Sequence, residues 1–310
     1  MELIRVRSLS KQFRDIRAVD DISFSVNEAD VYGFLGQNGA GKSTTIRMLL
    51  TLIEPSSGTI EIFGKNLASH RAAILRDIGA VIEKPDLYKF LTAFENLSLF
   101  ARLSGIHASR SHIMKQLDMV GLADRANSKV ATYSQGMRQR LGIAVALVHD
   151  PSLIILDEPT NGLDPQGIAD VRNLILHLSR ERKKTFFVSS HLLSEIEQIA
   201  TRMLIIDKGK KIVEGNVKDL FDPTKMLVEL HTTDDTSSIQ KIRESRWKEF
   251  LHQSTGKHII FRMDREQVPL LTRELVEMGI GILSLSPRHS LEDYFLSLTS
   301  ANQHVDVVED

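Results

Sequence analysis

The sequence predicts an α/β protein in which a large domain with a mostly parallel sheet precedes a smaller α+β domain. Short apolar segments alternate with helical patterns over residues 3–215, which is typical of a parallel sheet covered by helices. The pattern changes after that point, and Asp222 and Pro223 have the composition of a linker. At 310 residues, the chain is too long for one average domain. We therefore place the first domain at 1–220 and the second at 221–310.

Five short apolar segments of the first domain are predicted to form the parallel sheet. Segments 3–9 and 22–26 are expected to be antiparallel and peripheral to it. Residues 92–145 are expected to form a helical subdomain, with the clearest helical patterns at 93–103 and 111–120. The predicted parallel strands are 31–35, 78–82, 153–156, 185–189 and 203–207.

The second domain has the element order βαββαβ, which predicts a ferredoxin-like arrangement. A closing helix is expected at 291–298. The six predicted elements are a strand at 226–231, a helix at 237–244, strands at 248–251 and 257–263, a helix at 267–278 and a strand at 281–284.

The composition is that of a packed protein with no global attraction for nucleic acid. It is 42% hydrophobic and 25% charged, and 39 Lys and Arg residues face 40 Asp and Glu residues. This balance gives no net field to draw in DNA or RNA, so no nucleic-acid partner is expected. The absence of cysteine excludes disulfides and thiolate metal sites and fits a reducing compartment. We expect a cytoplasmic protein.

The longest apolar run is too short to cross a membrane. It covers residues 143–148 and ends at His149 and Asp150, whereas a membrane-spanning helix needs about 20 apolar residues. Residues 1–7 alternate apolar and charged residues as a strand does, and they lack the apolar stretch of a secretion signal. Any activity at a membrane therefore requires a separate membrane protein.

A glycine-rich segment carries the strongest chemical signal. Residues 36–43 match the P-loop pattern at every required position, follow the strand 31–35 and open a helix at 43–50. Glycines let the backbone wrap around phosphate oxygens, Lys42 is expected to bridge the β- and γ-phosphates as a catalytic residue, and Ser43 to place a hydroxyl on Mg²⁺. The predicted nucleotide-binding residues here are Gly36, Gln37, Asn38, Gly39, Ala40, Gly41, Lys42, Ser43 and Thr44.

Two adjacent carboxylates end the apolar strand 153–156. The carboxyl edge of a parallel sheet is where ligands bind, so Asp157 and Glu158 are expected beside the P-loop. We assign Asp157 to the Mg²⁺ shell and Glu158 to polarising the attacking water, because phosphoryl transfer needs a neutralised anion and an oriented nucleophile.

The segment 133–140, between these two parts, resembles the signature motif of ABC ATPases. In that family, the Ser hydroxyl and Gly amide of one subunit meet the γ-phosphate bound to the other. The resemblance assigns these contacts to Ser134 and Gly136, and it implies a second ATPase subunit, identical or different. Gln135 and Met137 depart from the commonest Leu-Ser-Gly-Gly-Gln form.

Three further positions follow the order of the family's landmarks. Asp164 closes a segment that resembles the D-loop, which couples the two sites of a dimer. His191 follows the strand 185–189 and resembles the switch histidine that contacts the γ-phosphate, a catalytic role. Phe13 occupies the place of the aromatic residue that stacks on adenine; a buried core Phe is the alternative.

Glu83 departs from the family's usual Gln. A carboxylate keeps an oxygen for the metal but loses the amide donor and adds negative charge beside a triphosphate. Glu at this position, with Pro85 close behind, is similar to the bacitracin-resistance and lantibiotic-immunity branch of ABC ATPases. We therefore place Glu83 among the metal-site residues, and a solvated loop Glu is the alternative.

The resemblance covers residues 1–220 densely and implies an ATP hydrolase that uses ATP and Mg²⁺. It implies the ATPase subunit of an ABC transporter, energising export, of a peptide antibiotic or a drug, through a separate integral-membrane permease. That permease would dock near Glu83 and the helical subdomain and hold the chain peripherally on the cytoplasmic face of the membrane. The segment 290–295 is similar to an extension of some export ATPases.

Two alternatives belong to other functional classes. A non-transport ABC ATPase acting in DNA repair or translation typically carries two cassettes, zinc motifs or a long coiled coil, and this sequence has none of them. A binding module with an inactive site conflicts with the presence of the residues assigned to hydrolysis. Those residues are Lys42, Ser43, Asp157, Glu158 and His191.

Overall fold

The computed structural model describes residues 1–220, 226–255 and 258–288. The chain divides into two compact units, Met1–Val217 and a unit that begins at Lys218, close to the boundary that the sequence predicts. The predicted linker residues Asp222 and Pro223, the segment 290–295 and the predicted helix 291–298 lie outside the described residues.

The first unit alternates strands and helices along the chain. Its strands are β1 (Glu2–Phe13), β2 (Ile16–Asn27), β3 (Val31–Leu35), β4 (Ser57–Ile62), β5 (Lys65–Asn66), β6 (Ile78–Val81), β7 (Leu153–Asp157), β8 (Thr185–Ser190), β9 (Arg202–Asp207) and β10 (Lys210–Asn216). Its helices are α1 (Lys42–Leu49), α2 (Leu67–Leu75), α3 (Ala93–Leu103), α4 (Arg110–Met119), α5 (Gln135–Leu147), α6 (Pro165–Arg182) and α7 (Leu193–Ile199), and the short α8 (Val217–Leu220) crosses the boundary.

The predicted parallel sheet is confirmed. Six strands lie in the order β10-β9-β3-β8-β7-β6, and all neighbours are parallel except β10, which pairs antiparallel with β9 at the edge. Every residue of β3, β7 and β8 is buried. This burial explains why apolar residues dominate these strands without alternating with polar ones, because a strand covered on both faces has no solvent face.

The N-terminal strands form a second sheet, in the order β2-β1-β4-β5. β1 pairs antiparallel with β2, as predicted, and with β4. These strands lie outside the parallel sheet, as expected, but their buried side chains belong to the same hydrophobic core. The ring of Phe24 on β2, for example, lies 5.8 Å from that of Tyr32 and 6.0 Å from that of Phe187. The alternating pattern marked a strand with one buried face, not a strand outside the core.

Three helices occupy most of the range 92–145, where the sequence predicts a helical subdomain. α3 has the predicted bounds, and its first turn is fixed by a capping box in which Thr92 and Glu95 exchange hydrogen bonds. α4 begins one residue before the predicted pattern, at Arg110, because Ser109 accepts a hydrogen bond from the backbone of His112. α3, α4 and α5 pack on one another.

The second unit has the predicted ferredoxin-like arrangement. Its four strands are antiparallel neighbours and lie in the order β12-β13-β11-β14. Buried apolar side chains of the sheet and both helices form a separate core. The elements are β11 (Met226–Thr232), α9 (Asp235–Glu244), β12 (Leu251–Thr255), β13 (His258–Met263), α10 (Val268–Glu277) and β14 (Ile282–Arg288).

The predicted strand 248–251 is wrong. Residues Arg246–Phe250 form a 3₁₀ helix, and β12 begins only at Leu251. The Ser245 hydroxyl accepts a hydrogen bond from the backbone of Trp247 and so starts the helical turn. Trp247 is buried against Phe250, with ring centroids 5.5 Å apart. Packing of these two aromatic residues therefore outweighs the strand propensity of the segment.

None of the helices in the described ranges combines the length and the apolar character that a membrane crossing requires.

Candidate functional site

The predicted P-loop connects β3 to α1. Gly39 and Gly41 adopt φ of 82° and 108°, which L-residues rarely reach. A Cβ at Gly41 would lie 2.5 Å from the backbone oxygen of Ala18, so this position also requires glycine for space. The loop can therefore keep a tight turn directly before α1, with the backbone N–H groups of the first helical turn free to meet an anion.

Lys42 is the first residue of α1 and is 5% exposed. Its Nζ donates to the backbone oxygens of Gly36 at 2.7 Å and Gln37 at 3.2 Å. It also lies 3.0 Å from Oε1 of Glu158. The three donors of the ammonium group are thus directed at the P-loop and at the predicted catalytic carboxylate.

Asp157 ends β7 and is 1% exposed. Its Oδ1 accepts a hydrogen bond from Oγ of Ser189 at 2.5 Å, because Ser189 occupies the paired position on the neighbouring parallel strand β8. Its Oδ2 is buried and has no hydrogen-bond partner among the described residues. An unpartnered buried carboxylate oxygen is costly, and a cation or a bound water is the usual remedy.

Glu158 follows in a left-handed conformation with φ of 50°. Its backbone N–H donates to Oγ of Ser189 at 2.9 Å, and its Oε2 accepts a hydrogen bond from Nδ1 of His191 at 2.5 Å. Lys42, Glu158 and His191 therefore form one continuous chain of contacts. A non-glycine residue in this backbone region persists only where its surroundings fix it, and such residues cluster at active sites.

A cleft of about 1110 Å³ opens beside this chain of contacts. One side is formed by the P-loop, α1 and the two carboxylates at the end of β7. The opposite side is formed by the segment after β6, from Ile82 to Leu87, and by the first turns of α5. Among the predicted site residues, the lining includes Asn38, Gly39, Gly41, Lys42, Ser43, Thr44, Glu83, Asp157 and Glu158.

Glu83 forms an ion pair that the sequence did not predict. Its Oε1 lies 2.6 Å from Nη2 of Arg47, which belongs to the last turn of α1. The Glu83 side chain is 62% exposed, and its backbone φ is 58°. This carboxylate is therefore neither simply solvated nor free of a counter-charge. Its place in a metal site stays a prediction.

The signature segment lies only partly at the cleft, because Gln135, Arg138 and Gln139 line it whereas Ser134 and Gly136 do not. Ser134 is exposed and caps α5, where its Oγ accepts a hydrogen bond from the backbone of Met137 at 3.3 Å. Gly136 is partly exposed, and neither residue is part of the cleft lining. Tyr133 immediately before them is buried, and this burial raises the pKa of its hydroxyl. The buried side chain of Tyr133 thus fixes the start of the signature segment, in which Ser134 is exposed.

Asp164 and Phe13 also lie outside the cleft lining. Asp164 caps α6, and its Oδ1 accepts a hydrogen bond from the backbone of Gly167 at 3.1 Å. Phe13 ends β1 and is 45% exposed, with Nζ of Lys11 5.0 Å from its ring centroid. The alternative of a buried core Phe is therefore wrong, while stacking on adenine stays a prediction.

Two residues of the site, Ser189 and Arg47, were not predicted from the sequence. Ser189 is buried and contacts both Asp157 and the backbone of Glu158. The sequence identified the strand that carries Ser189, but not which strand lies beside β7. The signal for Arg47 was weaker, since it depends on the conformation of the segment after β6.

Comparisons with known proteins agree with this geometry. A family described as "ABC transporter" matches residues 19–161. The bacitracin transport ATP-binding protein BcrA of Bacillus licheniformis is 42% identical, over 96% of this chain and 97% of that protein. The lantibiotic transport ATP-binding protein SrtF of Streptococcus pyogenes is 38% identical over 71% and 96%. A solved dimeric ATP-binding cassette in a post-hydrolysis state, bound to ADP and Pi, is 26% identical with a TM-score of 0.63, covering 69% of this chain and 99% of that one.

Proposed function

Because this chain belongs to the ABC transporter ATP-binding proteins, which hydrolyse ATP to power transport, we propose that it energises export of a peptide antibiotic or a similar drug through a separate membrane permease. The observation that carries the proposal is the chain of contacts from Lys42 through Glu158 to His191 beside the P-loop. These are the groups that phosphoryl transfer requires: a cation for the phosphates, a carboxylate for the water and a polar group that holds it.

Nucleotide binding requires Lys42 to exchange its contacts. The ammonium group lies against the P-loop oxygens and Glu158, and the β- and γ-phosphates offer it a stronger, more negative partner. This exchange frees Oε1 of Glu158, while Oε2 keeps its contact with His191. Glu158 then has one oxygen fixed and one oxygen available to accept a proton from an attacking water.

The residues present fit a Mg²⁺ ion. Oδ2 of Asp157 is buried without a partner among the described residues, and Ser43 lines the same cleft. Hard oxygen ligands and few protein contacts are what Mg²⁺ prefers at nucleotide sites. We propose that Asp157 and Ser43 hold the ion with the nucleotide, and that Glu83 contributes from the opposite wall. When bound, the ion neutralises charge on the β- and γ-phosphates.

We propose that the working form contains two ATPase subunits. Ser134 is exposed and Gly136 is partly exposed, and neither lines the cleft of its own chain, so a contact of these residues with a γ-phosphate requires a second chain. The signature of a second subunit would complete the site, with Asp164 and its loop at the same interface. The dimeric relative bound to ADP and Pi supports this proposal.

The relatives' functions support a proposal for the partner and the location. BcrA and SrtF are transport proteins, for bacitracin and for a lantibiotic, so the DNA repair or translation alternative has no support. We propose that the permease docks on the cytoplasmic side near Glu83 and the helical subdomain. Tyr88 and Phe90 are 43% and 70% exposed beside it, and such exposed aromatic residues are typical of partner surfaces.

The first test is Mg²⁺-dependent ATP turnover by the full chain, wild type against Lys42→Ala, with Lys65→Ala as the matched control on exposed β5. We expect Lys42→Ala to lose nucleotide binding and turnover and Lys65→Ala to keep both. Turnover by Lys42→Ala equal to wild type would contradict the assigned site. Binding without turnover by wild type would favour the binding-module alternative.

The second test addresses the cargo. Cells that carry the chain with its co-purifying membrane protein should tolerate more bacitracin or lantibiotic than cells with the Lys42→Ala variant. Equal tolerance to both classes of peptide would leave the ATPase assignment intact and contradict the proposed cargo.

A further inference from the structure

One carboxylate outside the cleft connects the two loops that carry Glu158 and His191. Oε2 of Glu195 accepts a hydrogen bond from Oγ1 of Thr160 at 2.6 Å and from Oγ of Ser190 at 3.0 Å. Glu195 is in the first turn of α7. Neither its side chain nor its two partners line the cleft described above.

The positions of the two partners give this contact its meaning. Thr160 is two residues after Glu158, and Ser190 directly precedes His191. Because Glu158 and His191 are themselves hydrogen-bonded, the contacts form a closed ring. One part of the ring is the contact between Glu158 and His191, and Glu195 completes the ring through Thr160 and Ser190.

The ring constrains a segment that needs constraint. Glu158 has the left-handed φ of 50°, and such a conformation is maintained only by its surroundings. On one side, its N–H donates to Ser189. On the other side, the next side-chain contact along the chain is that of Thr160 with Glu195.

The chemistry of the contact favours a firm connection. Ser190 is 2% exposed, so water is hardly accessible to its hydroxyl as an alternative hydrogen-bond partner. Both hydrogen bonds end on the same carboxylate oxygen, and charge-assisted O–H to carboxylate bonds are short and strong. The oxygen also accepts both hydroxyls without being shared with a cation in any described contact.

A purely structural role is not needed to dock α7. Leu193, Ile196 and Ile199 are buried and pack the helix on the sheet without help from Glu195. The Ser190 hydroxyl separately accepts a hydrogen bond from the backbone of Leu192, which shapes the start of the helix. The carboxylate therefore adds a connection between loops that the apolar contacts do not supply.

We propose that Glu195 is a positioning residue for ATP hydrolysis, which holds the loops of Glu158 and His191 in register through Thr160 and Ser190. This inference rests on the proposed function and deepens it. Glu195 touches neither nucleotide nor water in this role. Its effect is on the geometry of the water-activating pair.

The test compares Glu195→Ala and Glu195→Gln in the full chain, with Glu197→Gln on the exposed side of α7 as the matched control. We expect Glu195→Ala to lower kcat by about tenfold to a hundredfold, because small displacements of catalytic groups cost that much. The KM for ATP should stay within about twofold, because ground-state binding is unchanged. Glu195→Gln keeps an accepting oxygen and should recover most of the loss.

Three results would overturn the inference. They are a kcat of Glu195→Ala equal to that of Glu197→Gln, a loss carried by KM alone, and a Glu195→Gln variant as impaired as Glu195→Ala. Thr160→Val provides a further check: combined with Glu195→Ala it should cost less than the product of the two single losses, because both act on one contact.

Hydrogen exchange without nucleotide separates this inference from the proposed function. Glu195→Ala should speed exchange in the loops around 158–162 and 190–193 together, whereas Glu197→Gln should leave both unchanged. Unchanged exchange would overturn the connection between the loops. A wild-type chain without ATP turnover would contradict the proposed function, and the exchange result would still decide whether Glu195 joins the loops.

Discussion

Two regions of the site, the residues around Glu158 and the signature residues before α5, differ in how many contacts their own chain provides. At the ends of β7 and β8, Glu158 contacts both Lys42 and His191, and Ser189 donates a hydrogen bond to Asp157 from the neighbouring strand. At the start of α5, by contrast, Ser134 only caps its own helix and faces solvent. One region is preorganised for chemistry and the other presents a motif outward. The difference supports the proposal that the second region acts on a second subunit.

The largest effect on turnover is expected at Asp157, whose buried Oδ2 has no hydrogen-bond partner among the described residues. Asp157→Asn replaces a carboxylate oxygen by an amide nitrogen, which removes a Mg²⁺ ligand while keeping the side chain's size. ATP turnover should fall by about a hundredfold or more, as losses of transition-state electrostatics do. Turnover measured across a Mg²⁺ titration would show this fall, with Asp118→Asn, at an exposed position of α4, as the control. A wild-type Mg²⁺ response would contradict the metal assignment.

A smaller effect is expected in the outward-facing region. A Cβ at Gly136 would meet only the Cα of Gly167, at 3.9 Å, so Gly136→Ala should fold normally. Between two subunits, the added methyl group would obstruct a phosphate, and turnover should fall by about tenfold because the closed geometry is displaced. Thermal unfolding and turnover measured together would separate the two effects. Lost turnover with an unchanged melting temperature is the expected result.

A helix cap supplies the contrast for that variant. Ser109 caps α4 by accepting a hydrogen bond from the backbone of His112, as Ser134 caps α5. Ser109→Ala should destabilise the fold by about 1 kcal/mol and leave turnover per folded molecule unchanged. If Gly136→Ala behaved like Ser109→Ala, the signature would be a structural element only.

The smallest effect on stability is expected at the Arg47–Glu83 pair. Both side chains are more than one-third exposed, so Glu83→Gln should change the free energy of unfolding by less than about 1 kcal/mol. Urea unfolding at low and high salt would measure this. A larger, salt-independent loss would mean that the pair is buried in solution. Turnover is the more sensitive measurement, because Glu83 lines the nucleotide cleft.

The sequence predicts those parts of the molecule that depend on neighbours along the chain. Each of the correctly predicted patterns consists of consecutive residues with clear strand or turn preferences. They are β3, the P-loop and Asp157–Glu158. The contact of Ser189 with Asp157 depends on the order of strands in space, which no local pattern encodes. The ion pair of Glu83 with Arg47 likewise depends on the backbone conformation at Glu83, with φ of 58°, which no local pattern encodes.

The alternation of apolar and polar residues is a poor predictor where tertiary packing determines the local structure. The strand expected at 248–251 became a 3₁₀ helix because Trp247 and Phe250 are buried together. The first strands were expected to be peripheral to the parallel sheet, and the sequence did not show that Phe24 on β2 contacts the rings of that sheet. In both regions, tertiary contacts that no local sequence pattern encodes determine the positions of aromatic side chains.

The most direct test of the central claim uses Glu158→Gln. The substitution keeps the shape of the side chain but removes the carboxylate that is proposed to activate water, so bound ATP should persist. Size-exclusion chromatography with light scattering should show a dimer when ATP and Mg²⁺ are present and a monomer when they are absent. Glu158→Gln that stays monomeric at saturating ATP, while binding it, would contradict a site completed by two subunits.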